Sequence, residues 1–327
     1  MKPPYPAPVA EWHNDTYDAI NPKNPELSQV GKNIVITGAG SGIGREIAHA
    51  FAEASASSIH ILGRTEKSLA ETRTLVQQKH PHTKVVIHVA DILDEAALEE
   101  AARKIGDWDV LVANAGYIPK PELIEDSDSD EWWKTFEVLF HFVLGICLSR
   151  SRWFKQVNIR GNYILTRKFL PYKKEGGTIV ANSSGFAFLP PRLPFLAKNS
   201  AYSTSKLGTA RFYEFLAAEH PDLNVFILQP GIVRTALYTK GELALGSTLD
   251  TSKGYLSNHR TYPSNCSLVQ LPAHFTVWLA SPAAKALSGR FLFGNWDVEQ
   301  LKSDVAPRLK EDPVFLGTSL GGFPFSS

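Results

Sequence analysis

From Asn33 onward, short β-branched runs alternate with amphipathic stretches of helical length, an order that few folds accommodate. The runs are NIVITG (33–38), SSIHIL (57–62), KVVIHVA (84–90), VLVANAG (110–116), GTIVANSS (177–184), NVFILQPG (224–231) and GRFLFG (289–294). Between them, GIGREIAHAFAEA (42–54) sets Ile43, Ile47, Ala50, Phe51 and Ala54 at helical spacing. TEKSLAETRTLVQQK (65–79), DEAALEEAARKI (94–105, Asp94 as N-cap) and AYSTSKLGTARFYEFLAAEH (201–220) also read as helices. Strands that alternate with helices make βαβ units, and their apolar strands need covering on both faces. The expectation is an α/β, Rossmann-type doubly wound parallel sheet of about seven strands in a single domain over 33–300.

The flanks differ in character. Residues 1–32 carry six prolines and read as an arm lying on the domain, and 301–327 form a C-terminal tail. With 34 basic and 33 acidic residues, the chain has no electrostatic footprint for nucleic acid or an anionic membrane. Cys147 and Cys266 cannot build a disulfide framework, which points to reducing, cytoplasmic surroundings. The opening residues contain no apolar signal-peptide core. The longest apolar run, Val138–Leu148, is too short to span a bilayer, so no membrane is expected as a partner.

TGAGSGIG (37–44) stands where the first strand gives way to the first helix. Gly38 permits a tight turn, Gly42 lets backbone approach a pyrophosphate, and Gly44 allows close helix–strand contact, with Ser41 and Ile43 between them. The helix then offers free N–H groups and a positive dipole end to phosphate. After the second strand the chain has Gly63 and Arg64, with no carboxylate before Glu66. An arginine there can pair with a 2′-phosphate, so NADP(H) is favoured over NAD(H). Asp91, followed by Ile92, is suited to the adenine amino group. Asn114 is suited to tying down neighbouring backbone, and Gly116 to leaving room for ribose. In QPGIVRT (229–235), Pro230, Val233 and Thr235 can close over the nicotinamide. Turn chemistry is the bland alternative for several of these residues.

YSTSK (202–206) puts Tyr202 and Lys206 on one helix face. A free tyrosine, with a pKa near ~10, is a poor acid or base at neutral pH. A neighbouring ammonium and a positive nicotinamide ring would favour phenolate, and Lys206 can also hold ribose hydroxyls. Of the strand-end pair Ser183–Ser184, one hydroxyl can donate to a carbonyl oxygen as charge develops there. Asn158, in VNIRGNYILTRKFLP, falls on a helix where asparagine is unfavourable, so it needs a purpose such as holding a relay water.

Together these motifs resemble the classical short-chain dehydrogenase/reductase family from about residue 33 to 295. TGAGSGIG is similar to its cofactor loop and ANAG to its N-N-A-G element. Asn158, Ser184, Tyr202 and Lys206 are similar to its catalytic residues, and PGIVRT to its P-G-x-V-x-T segment. The tail is similar to fungal members. The resemblance implies tyrosine as proton donor, lysine lowering its pKa and binding ribose, serine orienting substrate, and a homo-oligomer. Two departures stand out. Ser184 and Tyr202 lie 18 residues apart, wider than the family spacing, so FAFLPPRLPFLAKNS carries an insertion over the substrate mouth.

The second departure precedes Asn158. Family members read W-x-x-x-F-x-V-N-x-x-G without interruption, and excising 138–156 restores WWKTFE-VNIRG. Val codons begin GT, Gln156 can be encoded CAG, and the span keeps the reading frame. Residues 138–156 therefore read either as a translated retained intron (or an error in the gene assignment) or as a genuine active-site or membrane-touching insertion.

The function expected is hydride transfer between NAD(P)(H) and an alcohol or carbonyl small molecule, without a metal. The segment 237–270 would serve as substrate lid, and Phe186, Phe188, Leu189 and Phe195 hint at a hydrophobic substrate. The alternative is a catalytically impaired nucleotide-binding relative, which the presence of both Tyr202 and Lys206 disfavours.

Overall fold

The computed structural model describes residues 2–3, 6–133, 157–192, 196–233, 235, 268–312 and 314–318. The insertion 138–156, nearly all of the 237–270 lid, and Phe195 lie outside the described residues.

Seven strands form one sheet: β1 (Asn33–Thr37), β2 (Ser58–Gly63), β3 (Lys84–Val89), β4 (Trp108–Ala113), β5 (Lys173–Asn182), β6 (Asn224–Gln229) and β7 (Arg290–Phe293). All neighbours are parallel, in the order β3-β2-β1-β4-β5-β6-β7. The winding reverses between β1 and β4, which opens a crevice at the carboxyl ends of those strands. The central residues Ile34, Val35, Ile36, Val110, Leu111 and Val112 are buried, as a sheet covered on both sides requires.

Among the described residues up to Leu279 the helices are α1 (Gly42–Glu53), α2 (Glu66–Lys79), α3 (Glu95–Ile105), α4 (Ser129–Trp133), α5 (Arg160–Phe169), α6 (Ser200–Glu219) and α7 (Gln270–Leu279). Helix α1 packs on α2 and α7, whereas α3 packs on α5. Tyr213 of α6 donates its hydroxyl to Asn162 of α5 at 2.8 Å. In α1 the helical periodicity holds, since Ile47, Ala50, Phe51 and Ala54 are buried, while Ile43 in the first turn is only half-buried. Asp94 caps α3 by accepting from the Ala97 N–H at 3.0 Å.

Two elements differ from the sequence reading. Strand β5 starts at Lys173 instead of 177, because Lys173 pairs with Trp108 of β4 before the register shifts and Thr178 meets Val110. Asn158 does not lie within a helix: it occupies a turn before α5, which begins only at Arg160.

The proline-rich arm buries Trp12, Ile20 and Leu27 in the main core. Trp12 forms an antiparallel bridge with Trp296 just after β7.

Candidate active site

The glycine turn has the geometry that a phosphate cradle needs. Gly38 and Gly42 adopt φ of 67° and 54°, in the left-handed region where a side chain is strained. A Cβ at Gly44 would stand 2.4 Å from the Gly38 carbonyl oxygen, so only glycine lets α1 approach β1 this closely. Ser41 is exposed at the N-cap of α1 and its side chain caps no N–H. The first-turn donors of Gly42, Ile43 and Gly44 are thus left for an anion. This arrangement fits a dinucleotide's phosphates.

Around the turn, Thr37 acts as a hub that sequence reasoning missed. Its hydroxyl donates to Val112 O (3.2 Å) and accepts from the N–H groups of Asn114 (3.0 Å) and Ala115 (3.1 Å). Asn114 Nδ2 donates back to Thr37 O at 2.9 Å. Asn114 therefore ties down backbone, as the sequence suggested. A Cβ on Gly116 would make ordinary contact, 3.5 Å from Lys206 Nζ and 3.6 Å from Asn158 Oδ1, so this position borders both side chains without a steric need for glycine.

The other residues that the sequence suggests for the cofactor lie as follows. Arg64 is exposed directly after β2, and Ala39 of the glycine turn donates its N–H to Leu62 O of that strand at 3.3 Å. Asp91 accepts from the Leu93 N–H at 3.1 Å, forming a turn, and Ile92 is buried against Gly161 of α5. Pro230 is half-buried and Val233 buried, whereas Thr235 reaches the cradle. Its Cγ2 would stand 3.1 Å from a Cβ on Gly42, which brings the segment after β6 over the glycine turn.

Tyr202 and Lys206 share one face of α6, and Lys206 Nζ lies 5.8 Å from the Tyr202 ring centroid. Lys206 is 5% exposed and donates to Asn182 O at 2.9 Å. Burial lowers its pKa to about 8. Burial also pushes the Tyr202 phenol up to about 12, against a smaller lowering from Ser184. The sequence argument had the ammonium drawing tyrosine toward neutrality. In the cofactor-free chain desolvation dominates, and the phenol stays protonated at neutral pH.

The serine pair separates cleanly. Ser183 turns to α6 and donates to Lys206 O at 3.2 Å, a structural bond. Ser184 accepts from the Phe186 N–H at 3.3 Å and lies near enough to Tyr202 to lower its pKa, so the hydroxyl facing the phenol is the second of the two. Asn158, fully buried, accepts from the Tyr117 N–H (2.9 Å) and donates to Tyr117 O (2.9 Å) and Ser205 Oγ (3.0 Å). Its amide braces the chain after Gly116 against α6. Ser205 was not anticipated either; it donates to Tyr202 O at 2.8 Å. The 185–192 loop sets Phe186 edge-on to Tyr202, with centroids 5.9 Å apart. Phe188 instead packs on Phe291 at 4.3 Å.

Comparison with known proteins places the chain in a family. The family model described as short chain dehydrogenase matches residues 32–243. The short chain dehydrogenase mpl6 of Monascus purpureus is 33% identical over 318 residues, covering 94% of each chain. Among solved structures, a short chain dehydrogenase of Shigella flexneri complexed with NADP superposes with a TM-score of 0.62 at 21% identity, over 83% of this chain and 99% of that one. A 3-ketoacyl-(acyl-carrier-protein) reductase of Brucella melitensis complexed with NADH gives 0.61 at 26% identity, over 81% and 97%. The chain belongs to the short chain dehydrogenase family. Its class is thereby a nicotinamide-dependent oxidoreductase of alcohol or carbonyl groups, and its relatives include fungal enzymes. No described helix is long and apolar enough to cross a membrane.

Proposed function

We propose that this protein is an NADP(H)-dependent reductase that interconverts a carbonyl and an alcohol, with Tyr202 as the proton donor and acceptor. One observation carries the reading: Ser184, Tyr202 and Lys206 stand together, with Lys206 Nζ 5.8 Å from the Tyr202 ring centroid and Ser184 near enough to lower the phenol's pKa, at the strand ends that border the glycine cradle. When bound, the nicotinamide ring supplies or takes the hydride. Ser184 orients the substrate oxygen and donates to it as negative charge develops. Tyr202, protonated at neutral pH because burial raises its pKa, delivers the proton to that oxygen. Lys206 then stabilises the phenolate left behind, until a proton from solvent restores the phenol.

Arg64 supports the choice of NADP(H), being exposed at the end of β2 with no carboxylate ahead of Glu66. The Phe186 ring beside Tyr202 supports an apolar substrate. Two cysteines in the whole chain support a reducing, cytoplasmic setting, and the family resemblance supports a homo-oligomer. NADPH oxidation is the test, measured with a panel of aldehydes and ketones and repeated with Arg64→Ala. Carbonyl-dependent oxidation by the wild type is expected, with KM for NADPH raised about tenfold in the variant and KM for NADH unchanged. Equal effects on both cofactors would overturn the NADP(H) assignment.

A further inference from the structure

β4 and β5 pair with Ala113 opposite Ala181, so the next residues, Asn114 and Asn182, meet at the strand ends. Asn182 Nδ2 donates to Asn114 Oδ1 at 2.7 Å. Chemistry fixes the direction of this chain. The Thr37 carbonyl can only accept, so Asn114 turns its Nδ2 to it and its Oδ1 to Asn182. Asn182 must answer with its own Nδ2. Its Oδ1 is thereby turned away, buried and without a donor among the described residues. The main-chain oxygen of the same residue accepts from Lys206 Nζ.

Stability does not explain an asparagine here. A buried carbonyl with no donor costs free energy that an apolar side chain of similar size would relieve, offsetting what is lost when Asn114 Oδ1 gives up its donor. What asparagine adds is a connection. Through Asn114 it reaches the glycine turn, and through its carbonyl it reaches the lysine of the reaction centre, and only the first link needs its side chain.

We propose that Asn182 is a positioning residue that sets dinucleotide affinity by holding Asn114 against the glycine turn, while its main-chain oxygen fixes Lys206 in place. This rests on the cofactor reading above but not on turnover. The donor N–H is the working part, so Asn182→Leu and Asn182→Asp both remove it. Leucine also removes the unpaired oxygen.

The test is a fluorescence titration giving Kd for whichever of NADPH and NADH the wild-type protein binds more tightly. Asn182→Leu, Asn182→Asp, Asn114→Leu and the Asn114→Leu/Asn182→Leu double variant are compared, with Tm recorded for each. Asn182→Leu is expected to bind about tenfold more weakly while its Tm stays within a few degrees of wild type, the relief of its unpaired oxygen offsetting the lost bond to Asn114. Asn182→Asp should lose affinity as well, and the double variant should bind no more weakly than Asn114→Leu alone. Unchanged Kd in Asn182→Leu, or fully additive losses in the double variant, would overturn the proposal. A wild type that binds the dinucleotide but reduces no carbonyl would sink the functional reading and leave this one standing. A wild type that binds neither cofactor removes both.

Discussion

Lys206 carries a charge where water hardly reaches, and that fact can be read out as a function of pH. Burial lowers its pKa from 10.5 to about 8. The unfolded chain keeps this proton up to about pH 10.5, whereas the folded chain gives it up near 8. Between those values the unfolded state binds more protons, so this residue's contribution to stability rises with pH. Below 8 the folded state bears the full cost of the buried ammonium. Lys206→Met is therefore predicted to raise the Tm of the cofactor-free protein at pH 7, and the advantage should shrink between pH 8 and 10.5. A Tm difference constant over that range contradicts the argument. Each side chain proposed for the chemistry could be named from sequence, but its protonation could not. Spacing on a helix tells which groups are neighbours, whereas desolvation depends on strands and loops far away in the chain.

The turn between β1 and α1 is the element on which the cofactor reading stands. A methyl on Gly44 would meet the Gly38 carbonyl at 2.4 Å and Asn114 Nδ2 at 2.6 Å. Backbone cannot yield there without moving the whole turn. Gly44→Ala is predicted to weaken dinucleotide binding about a hundredfold or more. The far-UV circular dichroism should stay near wild type, since the lesion is confined to one junction. Wild-type affinity in a calorimetric titration would contradict the close contact. This junction was legible because its glycines and its strand–helix boundary are local features. Thr37 and Asn182 were not, because their roles come from parallel register, which pairs residues 77 and 68 positions from Asn114. One signal was available: two asparagines each ending a β-branched run would stand side by side if those strands were neighbours.

Over the whole molecule, the proline-rich arm is part of the core, not a cover upon it. Trp12 is 3% exposed and pairs with Trp296, and the His13 N–H donates to Asn295 O at 2.7 Å. Trp12→Ala is predicted to cost about 3–5 kcal/mol in urea unfolding; a loss under 1 kcal/mol would show the arm to be dispensable. The alternation of strands and helices made the sheet and its strand count legible, since period and length are local. The arm's burial was hidden, because a segment without periodicity gives no sign of which face it meets. A second expectation at this scale concerns 138–156, whose excision restores an uninterrupted family pattern. A chain lacking those residues is predicted to fold with a Tm at least equal to that of the full chain and to bind the dinucleotide at least as tightly. Sequencing the transcript is the complementary check: an active enzyme made from a message that keeps those codons would remove the retained-intron reading.

The central claim is that the Tyr202 phenol is the proton donor beside a bound dinucleotide, and Tyr202→Phe isolates it by removing one oxygen and leaving the ring. The deciding measurement is the rate of carbonyl-dependent NADPH oxidation by this variant at saturating cofactor, taken together with its Kd for NADPH. The account predicts a rate lowered by about 10²–10⁴-fold with Kd unchanged; a variant that turns over at the wild-type rate would contradict it.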